Sequence, residues 1–391
     1  MASVLVVYKE LPAPSVGHAG GKAVFRVIEF LCERGHKVSL VARVRREEAP
    51  LIAELKPFCD RLDTVPHHQA IGGPIPLAFL RSYLALRSAA ARALRQVQPD
   101  LLHIEVTQTA FALLGIPRPF TSFRALDVNW FLLQQRASQA RGTKRLLARL
   151  GARILRWVEP WLCRRFDVIA TISQGDHRLL APRCGARPVV MLPLAASFTR
   201  TRDVNPAVPL GPNVLFVGAM YRSLNVEGVE WFLESVWPKV LERVPEARFY
   251  VVGYDPPQRI LDRQDGEHVF VVGFAEELAP WYRAAAVSVS PLPVAGGLLQ
   301  KVVDAMAVGT AVVATPTSNH GLGATEGEHL LIADTPEAFA EAVVHLLAHP
   351  AERERLGQAG QRFVLGRYDL QQALHHWEVT CGIAEKGAMR T

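Results

Sequence analysis

The chain has 391 residues, of which 49% are hydrophobic and 21% charged, and its formal net charge at pH 7 is +7. This length and composition are typical of a globular protein with two domains and exclude a disordered chain. No apolar run reaches about 18 residues, so no transmembrane helix is expected, and the first residues lack the basic leader of a signal peptide. We therefore expect a cytoplasmic protein with its five scattered cysteines reduced.

The N-terminal part of the chain alternates apolar strands with helices, which predicts a parallel sheet. A strand is predicted at residues 4–8 and a helix at 22–34, with a glycine-containing loop between them at 12–21. The loop lacks the GxGxxG spacing of a dinucleotide site. Gly20 and Gly21 are therefore interpreted either as part of a loop beside a ligand or as a tight turn.

Two later strands of this half carry polar residues. His103 lies in a strand predicted at 99–105, while Arg124 and Asp127 lie in a strand and loop at 119–129. Arg124 stays protonated, so it cannot act as a general base, but it could hold a phosphate or another anion. Two alternatives stay open: His103 has a structural role, and Arg124 and Asp127 form an exposed pair.

The positive charge is concentrated in residues 136–165. This segment contains nine basic residues and one acid, Glu159, so the rest of the chain carries a small net negative charge. Its apolar residues recur at helical spacing and include Trp157 and Trp161. A basic amphipathic helix with tryptophans indicates contact with a membrane surface. The alternative is a solvated helix with its apolar face in the core; no nucleic-acid module is visible, so no nucleic-acid partner is expected.

The segment 286–323 indicates a ligand site. A short apolar strand is followed by a loop with Gly296 and Gly297, a helix and a second apolar strand. A helix N-terminus offers unpaired N–H groups and partial positive charge, and glycines before it let phosphates approach the backbone. Lys301 adds a cation there, and Asp304 on the same helix face could accept hydrogen bonds from a ribose. The pattern predicts a nucleoside diphosphate pocket, although an ordinary strand–helix–strand unit would look similar.

Residues 301–309, KVVDAMAVG, followed by 311–315, AVVAT, resemble the donor-site segment of family 4 glycosyltransferases. The resemblance implies an α/β protein of the GT-B fold, with two Rossmann-like domains facing each other across a cleft and a C-terminal helix crossing back to the first domain. The acceptor domain would be 1–200 plus about 368–391, and the donor domain 201–367.

The resemblance also implies roles for individual residues. The implied donor-binding residues are Gly218, Arg222, Gly273, Phe274, Gly296, Gly297, Leu298, Lys301 and Asp304. The implied acceptor-binding residues are Gly20, Gly21, His103, Arg124 and Asp127, and the catalytic residues would be Lys301, Asp127 and Arg222. The chain departs from the family pattern at Gly296, where the first of two acids is usual, and at Asp304, where Glu is usual. Arg222 is the only basic residue where the family has an Arg and a Lys.

By this resemblance, the protein is expected to be a retaining glycosyltransferase of the hexosyltransferase type, EC 2.4. It would move a sugar from a UDP- or GDP-linked donor to a hydroxyl of a lipid-linked or polysaccharide acceptor, without a metal or other cofactor. We expect it to be cytoplasmic or peripheral on the inner face of the plasma membrane. The alternatives are a non-catalytic homologue in an assembly complex and a sugar-nucleotide epimerase.

Overall fold

The computed structural model describes residues 1–16, 19–67, 77–194, 208 and 210–384. The chain divides into two compact units. The first comprises Met1–Gln134, Leu146–Leu194 and the chain from Leu370, and the second comprises Gln135–Arg145 and the chain from Ala195 to Asp369. Residues 135–145 join the second unit, where the Gln135 side-chain amide exchanges two hydrogen bonds with the backbone of Ala295.

Each unit is built on one parallel sheet. The strands of the first unit are β1 (Ser3–Tyr8), β2 (Lys37–Val44), β3 (Arg61–Pro66), β4 (Leu101–Glu105), β5 (Phe120–Ala125), β6 (Val168–Thr171) and β7 (Val189–Met191). Those of the second are β8 (Asn213–Val217), β9 (Arg248–Val252), β10 (Val269–Gly273), β11 (Val287–Ser290), β12 (Ala311–Ala314) and β13 (Leu331–Ile332). Their orders are β3-β2-β1-β4-β5-β6-β7 and β10-β9-β8-β11-β12-β13.

Helices connect the strands. They are α1 (Ala19–Glu33), α2 (Ile52–Leu55), α3 (Leu77–Val97), α4 (Thr107–Ala112), α5 (Asn129–Gln139), α6 (Gly142–Cys163), α7 (Gln174–Leu180), α8 (Ser223–Trp231), α9 (Trp237–Leu241), α10 (Gln258–Leu261), α11 (Ala279–Ala284), α12 (Gln300–Ala307), α13 (Pro316–His320), α14 (Pro336–Ala348), α15 (Pro350–Arg367) and α16 (Leu370–Thr380). Short 3₁₀ turns cover Arg46–Leu51 and Ala181–Arg183, and a π turn at Phe232–Val236 joins α8 to α9. Because the strands are parallel, each needs such a crossover connection.

The central strands are apolar on both sides because helices cover both faces of each sheet. In β1, Val4 and Val6 belong to one buried cluster of the first unit, whereas Leu5 and Val7 belong to another. Consecutive side chains of a strand point to opposite faces, so these two clusters are the cores above and below the sheet. The predicted alternation of strands and helices is confirmed, and each unit is a parallel sheet covered by helices.

The last helix, α16, belongs to the first unit, as the resemblance to family 4 glycosyltransferases implied. Its Trp377 is fully buried, and the indole N–H donates to Ser122 Oγ on β5 at 2.7 Å. The neighbouring Glu378 carboxylate lies 2.9 Å from Nε2 of His36. A buried tryptophan with a satisfied N–H anchors this helix to the sheet of the first unit.

Strand order places the sites. In each sheet the chain first adds strands on one side of its first strand and then on the other. The strand order therefore reverses at one point, between β1 and β4 in the first unit and between β8 and β11 in the second. At such a reversal point, the loops that follow the two neighbouring strands run to opposite sides of the sheet. A crevice therefore opens between the loops, at the carboxyl ends of the two strands. Ligands of open α/β sheets bind in that crevice, so the loops after these four strands carry the candidate residues.

Candidate functional site

The clearest site in the second unit is formed by Lys301 at the carboxyl ends of β8 and β11. Lys301 lies in the first turn of α12, and its Nζ donates to Asn225 Oδ1 at 2.7 Å. The same Nζ lies 4.0 Å from the ring centroid of Phe216. Burial lowers the pKa of Lys301 to about 7, and the positive charge of Arg222 acts in the same direction. The ammonium group is therefore held ready for an anion that the described residues do not supply.

Gly218 is required by this arrangement. A Cβ at residue 218 would lie 2.9 Å from Lys301 Nζ and 2.9 Å from Asn225 Nδ2, closer than van der Waals contact permits. The Gly218 N–H donates to Val252 O at 2.9 Å, which holds the loop after β8 against β9. A larger residue at this position would therefore require the Lys301 and Asn225 side chains to shift.

Asn225 is the residue at this site that the sequence analysis missed. It lies in the first turn of α8, accepts from Lys301 and donates to Ala219 O at 2.8 Å. Its position in the sequence could have indicated this role. Asn225 lies in the first turn of the helix after β8 and Gly218, and Lys301 lies in the first turn of the helix after β11 and Gly297. Arg222, whose implied role was donor binding, precedes α8 and is exposed. The structure thus brings Arg222, Asn225 and Lys301 together at the point where the sheet order reverses.

The glycine loop after β11 approaches the loop after β12 closely. Gly297 has a φ of +60°, and a Cβ on Gly321 would lie 1.6 Å from its carbonyl oxygen. Thr315 and Thr317 both donate to Leu292 O at 2.7 Å, so the loops are also joined by side chains. Leu298 is buried beside Gly297, and Gly296 is partly exposed. Only glycines fit this backbone contact without strain, and it lies just before the start of α12.

The Asp304 carboxylate is buried and already accepts a hydrogen bond. It is 3% exposed, and the Gln300 amide donates to its Oδ1 at 2.7 Å. Its charge also contributes to the raised pKa of Tyr282, after the larger effect of burial. The side chain lies on the predicted face of α12, one turn after Lys301. Its contact with a ribose stays a prediction.

Exposed aromatic rings lie at the far end of the same sheet edge. Gly273 ends β10 with a φ of +77°, and the next residue, Phe274, is 66% exposed. Its ring packs edge-on against Tyr254, which follows β9, with 6.4 Å between the centroids. Tyr254 is another residue that the sequence analysis missed. A flat base could stack on such rings, because aromatic faces accept any base.

The structure places His103 and Arg124 inside the first unit. Both are fully buried, and both contact Glu105 on β4: His103 Nε2 lies 2.9 Å from Oε1, and Arg124 Nε donates to Oε2 at 2.9 Å. Although burial opposes ionisation, Arg124 and His103 hold the pKa of Glu105 below its usual range. The His103 ring also packs against Trp377, with 4.8 Å between centroids. This burial fits the structural alternative for His103, and an exposed Arg124–Asp127 pair is wrong because Arg124 is fully buried. Acceptor binding by His103 or Arg124 stays a prediction.

Asp127 follows β5 and is partly buried among other carboxylates. Burial raises the pKa of Asp176 to about 7, despite the hydrogen bond from Ser173, and the charges of Asp127 and Glu159 act in the same direction. Glu159 accepts from the backbone N–H groups of Asn129 and Trp130, which begin α5. This cluster therefore fixes the N-terminus of α5, and Asp127 lies at its edge.

Gly20 and Gly21 lie in the first turn of α1 instead of a loop before it, because the helix begins at Ala19. They follow β1, so they lie at the carboxyl edge of the first sheet, beside its reversal point. The described part of the chain holds no group of three His, Cys, Asp or Glu residues arranged for a metal ion. None of its helices is both long enough and apolar enough to cross a bilayer.

Two family models match consecutive parts of the chain. The one described as Glycosyltransferase Family 4 matches residues 20–196, and the one described as Glycosyl transferases group 1 matches residues 211–349. Among individual proteins, an uncharacterized 44.6 kDa protein in the cps region of Klebsiella pneumoniae is 26% identical over 94% of this chain and 97% of its own length. The phosphatidyl-myo-inositol mannosyltransferase of Mycobacterium leprae is 30% identical over 41% of this chain and 43% of its own.

The fold has solved counterparts. Sucrose-phosphate synthase from Thermosynechococcus elongatus superposes with a TM-score of 0.70, covering 99% of this chain and 98% of its own, at 19% identity. That likeness concerns the fold, which is GT-B. Since both halves of the chain match glycosyltransferase models, and both halves have the parallel sheets of that fold, the chain belongs to the group 1, or family 4, glycosyltransferases.

Proposed function

We propose that this glycosyltransferase moves a hexose from a UDP- or GDP-linked donor to a hydroxyl of a lipid-linked or polysaccharide acceptor, with retention of anomeric configuration. One observation carries the donor half of the proposal. Lys301 is a partly buried cation that contacts Asn225 and the Phe216 ring, and no carboxylate of the described chain pairs with it. A cation desolvated in this way is stabilised by a ligand anion, and a diphosphate is the anion of a nucleotide-sugar.

The donor would lie along the carboxyl edge of the second sheet. Its diphosphate would contact Lys301, Arg222 and the backbone N–H groups at Gly296 and Gly297, next to the N-terminus of α12. Its base would stack near Phe274, at the other end of the same edge. The base and the diphosphate would thus contact loops that follow strands of the same sheet.

In the proposed reaction, the bond between the anomeric carbon and the diphosphate oxygen breaks, and the acceptor oxygen bonds to the same face of that carbon. The acceptor hydroxyl proton passes to the leaving diphosphate, so no enzyme nucleophile is needed. Lys301 and Arg222 stabilise the negative charge that develops on the diphosphate. Electrostatic stabilisation of this kind needs no resident metal, and we expect a chelator to leave the rate unchanged.

The acceptor side is proposed for the first unit, with Gly20, Gly21 and Asp127 at or near the carboxyl edge of its sheet. Arg124 is proposed to act indirectly, because its guanidinium is committed to Glu105. A lipid-linked acceptor is favoured by the Mycobacterium leprae relative, whose name describes a lipid as acceptor, and by the basic residues 136–165. We propose that the enzyme works on the inner face of the plasma membrane.

Turnover tests the proposal. Purified protein is incubated with radiolabelled UDP- and GDP-hexoses and membrane lipids of the source cell, and the label is followed into the lipid fraction. We expect transfer from one of the donors, an NMR coupling that reports a retained anomeric configuration, and no change with EDTA. Inversion at the anomeric carbon would contradict the retaining mechanism, and label that stays in the nucleotide with every acceptor would contradict transfer.

A non-catalytic role in an assembly complex remains the second candidate because of one observation. Gly296 occupies the position where the family usually has an acid at the donor sugar, so no carboxylate of that loop can contact the sugar. This role predicts nucleotide binding that needs Lys301, without transfer to any acceptor. The transfer rate of the Gly296→Glu variant distinguishes a catalytic from a non-catalytic role. The added carboxylate should raise the rate only if the protein already catalyses transfer.

A further inference from the structure

Helix α6 exposes an apolar stripe along its length. The stripe, which we name the α6 face, consists of Leu146, Leu147, Leu150, Ile154, Trp157 and Trp161, all of them exposed. Beyond the first two, its members are three or four residues apart, so they lie on one side of the helix. Trp157 is 77% exposed and Leu146 is 69% exposed. These side chains are therefore directed to solvent instead of into the core.

The rest of α6 explains how the helix stays folded while showing this face. Its opposite side carries the buried residues Ala152, Glu159, Leu162 and Cys163. Glu159 is the only acid of the helix, and it is buried against the start of α5, where it accepts from Asn129 and Trp130. The helix is thus fixed to the protein by one side, and its exposed surface contains no acid at all.

Cations border the α6 face. Arg149, Arg153 and Arg156 are four and three residues apart and form a row beside it, and none of them pairs with a carboxylate of the described chain. Arg165 lies over the Trp161 ring at 4.4 Å from the centroid. Arg156 also lies over the Trp130 ring at 5.6 Å from the centroid. The surface therefore combines an exposed apolar stripe with neighbouring arginines that pair with no carboxylate of the described chain.

A comparison within the same unit shows that this exposure is unusual. Helix α3 is of similar length, and Leu84 is its one large apolar side chain that is strongly exposed among those described. Single exposed apolar residues are common on protein surfaces. A continuous stripe of six such residues instead indicates a surface that binds another molecule or a membrane.

We propose that the α6 face docks in the plane of an anionic lipid bilayer, with its apolar side chains among the acyl chains and its arginines at the headgroups. Charge complementarity selects this partner, because the arginine row and the absence of exposed acids fit a uniformly negative plane. Nucleic acid would use the arginines but leave the leucines and Ile154 uncovered. Tryptophans are also the side chains that settle at a membrane–water interface. This inference deepens the proposed placement at the membrane by naming the surface that makes the contact, and vesicle binding tests it without a donor or an acceptor.

Vesicle flotation tests the inference with the full chain. Vesicles of phosphatidylcholine, with or without about one third phosphatidylglycerol, are mixed with wild type and with the double variant Ile154→Glu, Trp157→Glu. We expect wild type to float with the anionic vesicles, less with neutral ones, and the double variant to bind at least about tenfold more weakly. The matched control is Leu84→Glu with Val379→Glu, which changes two comparably exposed apolar residues elsewhere in the first unit.

A second pair of variants tests the charges. Arg149→Gln with Arg153→Gln should weaken binding to anionic vesicles and reduce its dependence on salt, whereas Arg92→Gln with Arg95→Gln on α3 removes the same charge without effect. Far-UV circular dichroism and urea midpoints exclude unfolding of any variant. Two flotation results would overturn the inference: wild type fails to float, or the Ile154→Glu, Trp157→Glu variant floats as well as its control. A dimer of wild type that this variant dissociates would also overturn it, because the α6 face would then be a protein interface.

Discussion

At the scale of the residue, the proposed donor site is an arrangement of a lysine, an asparagine and a glycine whose atoms lie close together. Lys301, Asn225 and Gly218 come from two strand–loop–helix units, and each fixes the next. The lysine is desolvated before any ligand arrives, so its pKa is lowered to about 7. This preorganisation makes the site sensitive both to pH and to a single added carbon.

The lowered pKa predicts that binding of a nucleoside diphosphate takes up a proton. A bound diphosphate favours the charged ammonium and raises the pKa of Lys301, so the bound state holds a proton that the free state has lost above pH about 7. Affinity should therefore fall as pH rises from 7, by up to about tenfold per pH unit. Calorimetry at pH 8 in buffers of different ionisation enthalpy measures the uptake. The Lys301→Met variant should show none, and an equal uptake in that variant would contradict the assignment.

An added methyl group should disturb the same site. Gly218→Ala places a Cβ within 2.9 Å of Lys301 Nζ, so the lysine must move, and we expect nucleotide affinity to drop by about tenfold or more. Gly366→Ala is the matched control, because a Cβ there meets nothing within 4 Å. Nucleotide titration of both variants measures the effect. Equal affinities would show that the Lys301 ammonium is not in the site.

The sequence allowed part of this site to be predicted. Lys301, Gly296 and Gly297 could be found because they follow a strand and begin a helix, a local pattern. Asn225 was missed because its role depends on a contact with a residue far along the chain. The resemblance assigned His103 and Arg124 to acceptor binding, and their burial together around Glu105 could not be predicted because it depends on contacts between strands.

At the scale of the element, the start of α5 depends on buried carboxylates. Asp176 and Glu159 lie under its first residues, and the Ser173 hydroxyl donates to Asp176 Oδ2 at 2.7 Å. The same Ser173 oxygen accepts from the Asp176 N–H and caps α7. The helical spacing of apolar residues within 136–165 predicted α6, but neither α5 nor the boundary between the two helices was predicted. The side of α6 that faces solvent could not be predicted, since that depends on which residues the neighbouring elements cover.

Asp176 predicts a pH dependence of stability. Its folded pKa is raised to about 7, whereas the unfolded value is near 3.8, so the native state keeps a proton that the unfolded state loses between these values. This contribution is fully present below pH about 4 and is lost as pH rises to about 7, and it amounts to a few kcal/mol at most. Asp176→Asn should flatten the dependence. Urea unfolding of both proteins at pH 5 and pH 8 measures it, and an unchanged slope in the variant would contradict the assignment.

At the scale of the whole molecule, two parallel sheets give two carboxyl edges, each with one reversal point. The alternation of strands and helices made both sheets predictable, and the resemblance at 301–315 indicated the fold. The strand order could not be read from the sequence, and that order is what places Gly218 beside Lys301. Local pattern thus predicts the elements, and long-range packing decides which of their residues meet.

The central claim is that Lys301 belongs to a nucleotide-sugar site, and a thermal-shift screen tests it most directly. UDP, GDP, ADP and their sugar conjugates are added without metal to wild type, Lys301→Met and the control Lys239→Met, which changes an exposed lysine. A ligand at about 100 times its Kd should stabilise the protein by about 2.7 kcal/mol. We predict a shift with one base, kept in the control and lost in Lys301→Met. No shift with any nucleotide, or the same shift in all three proteins, would contradict the account.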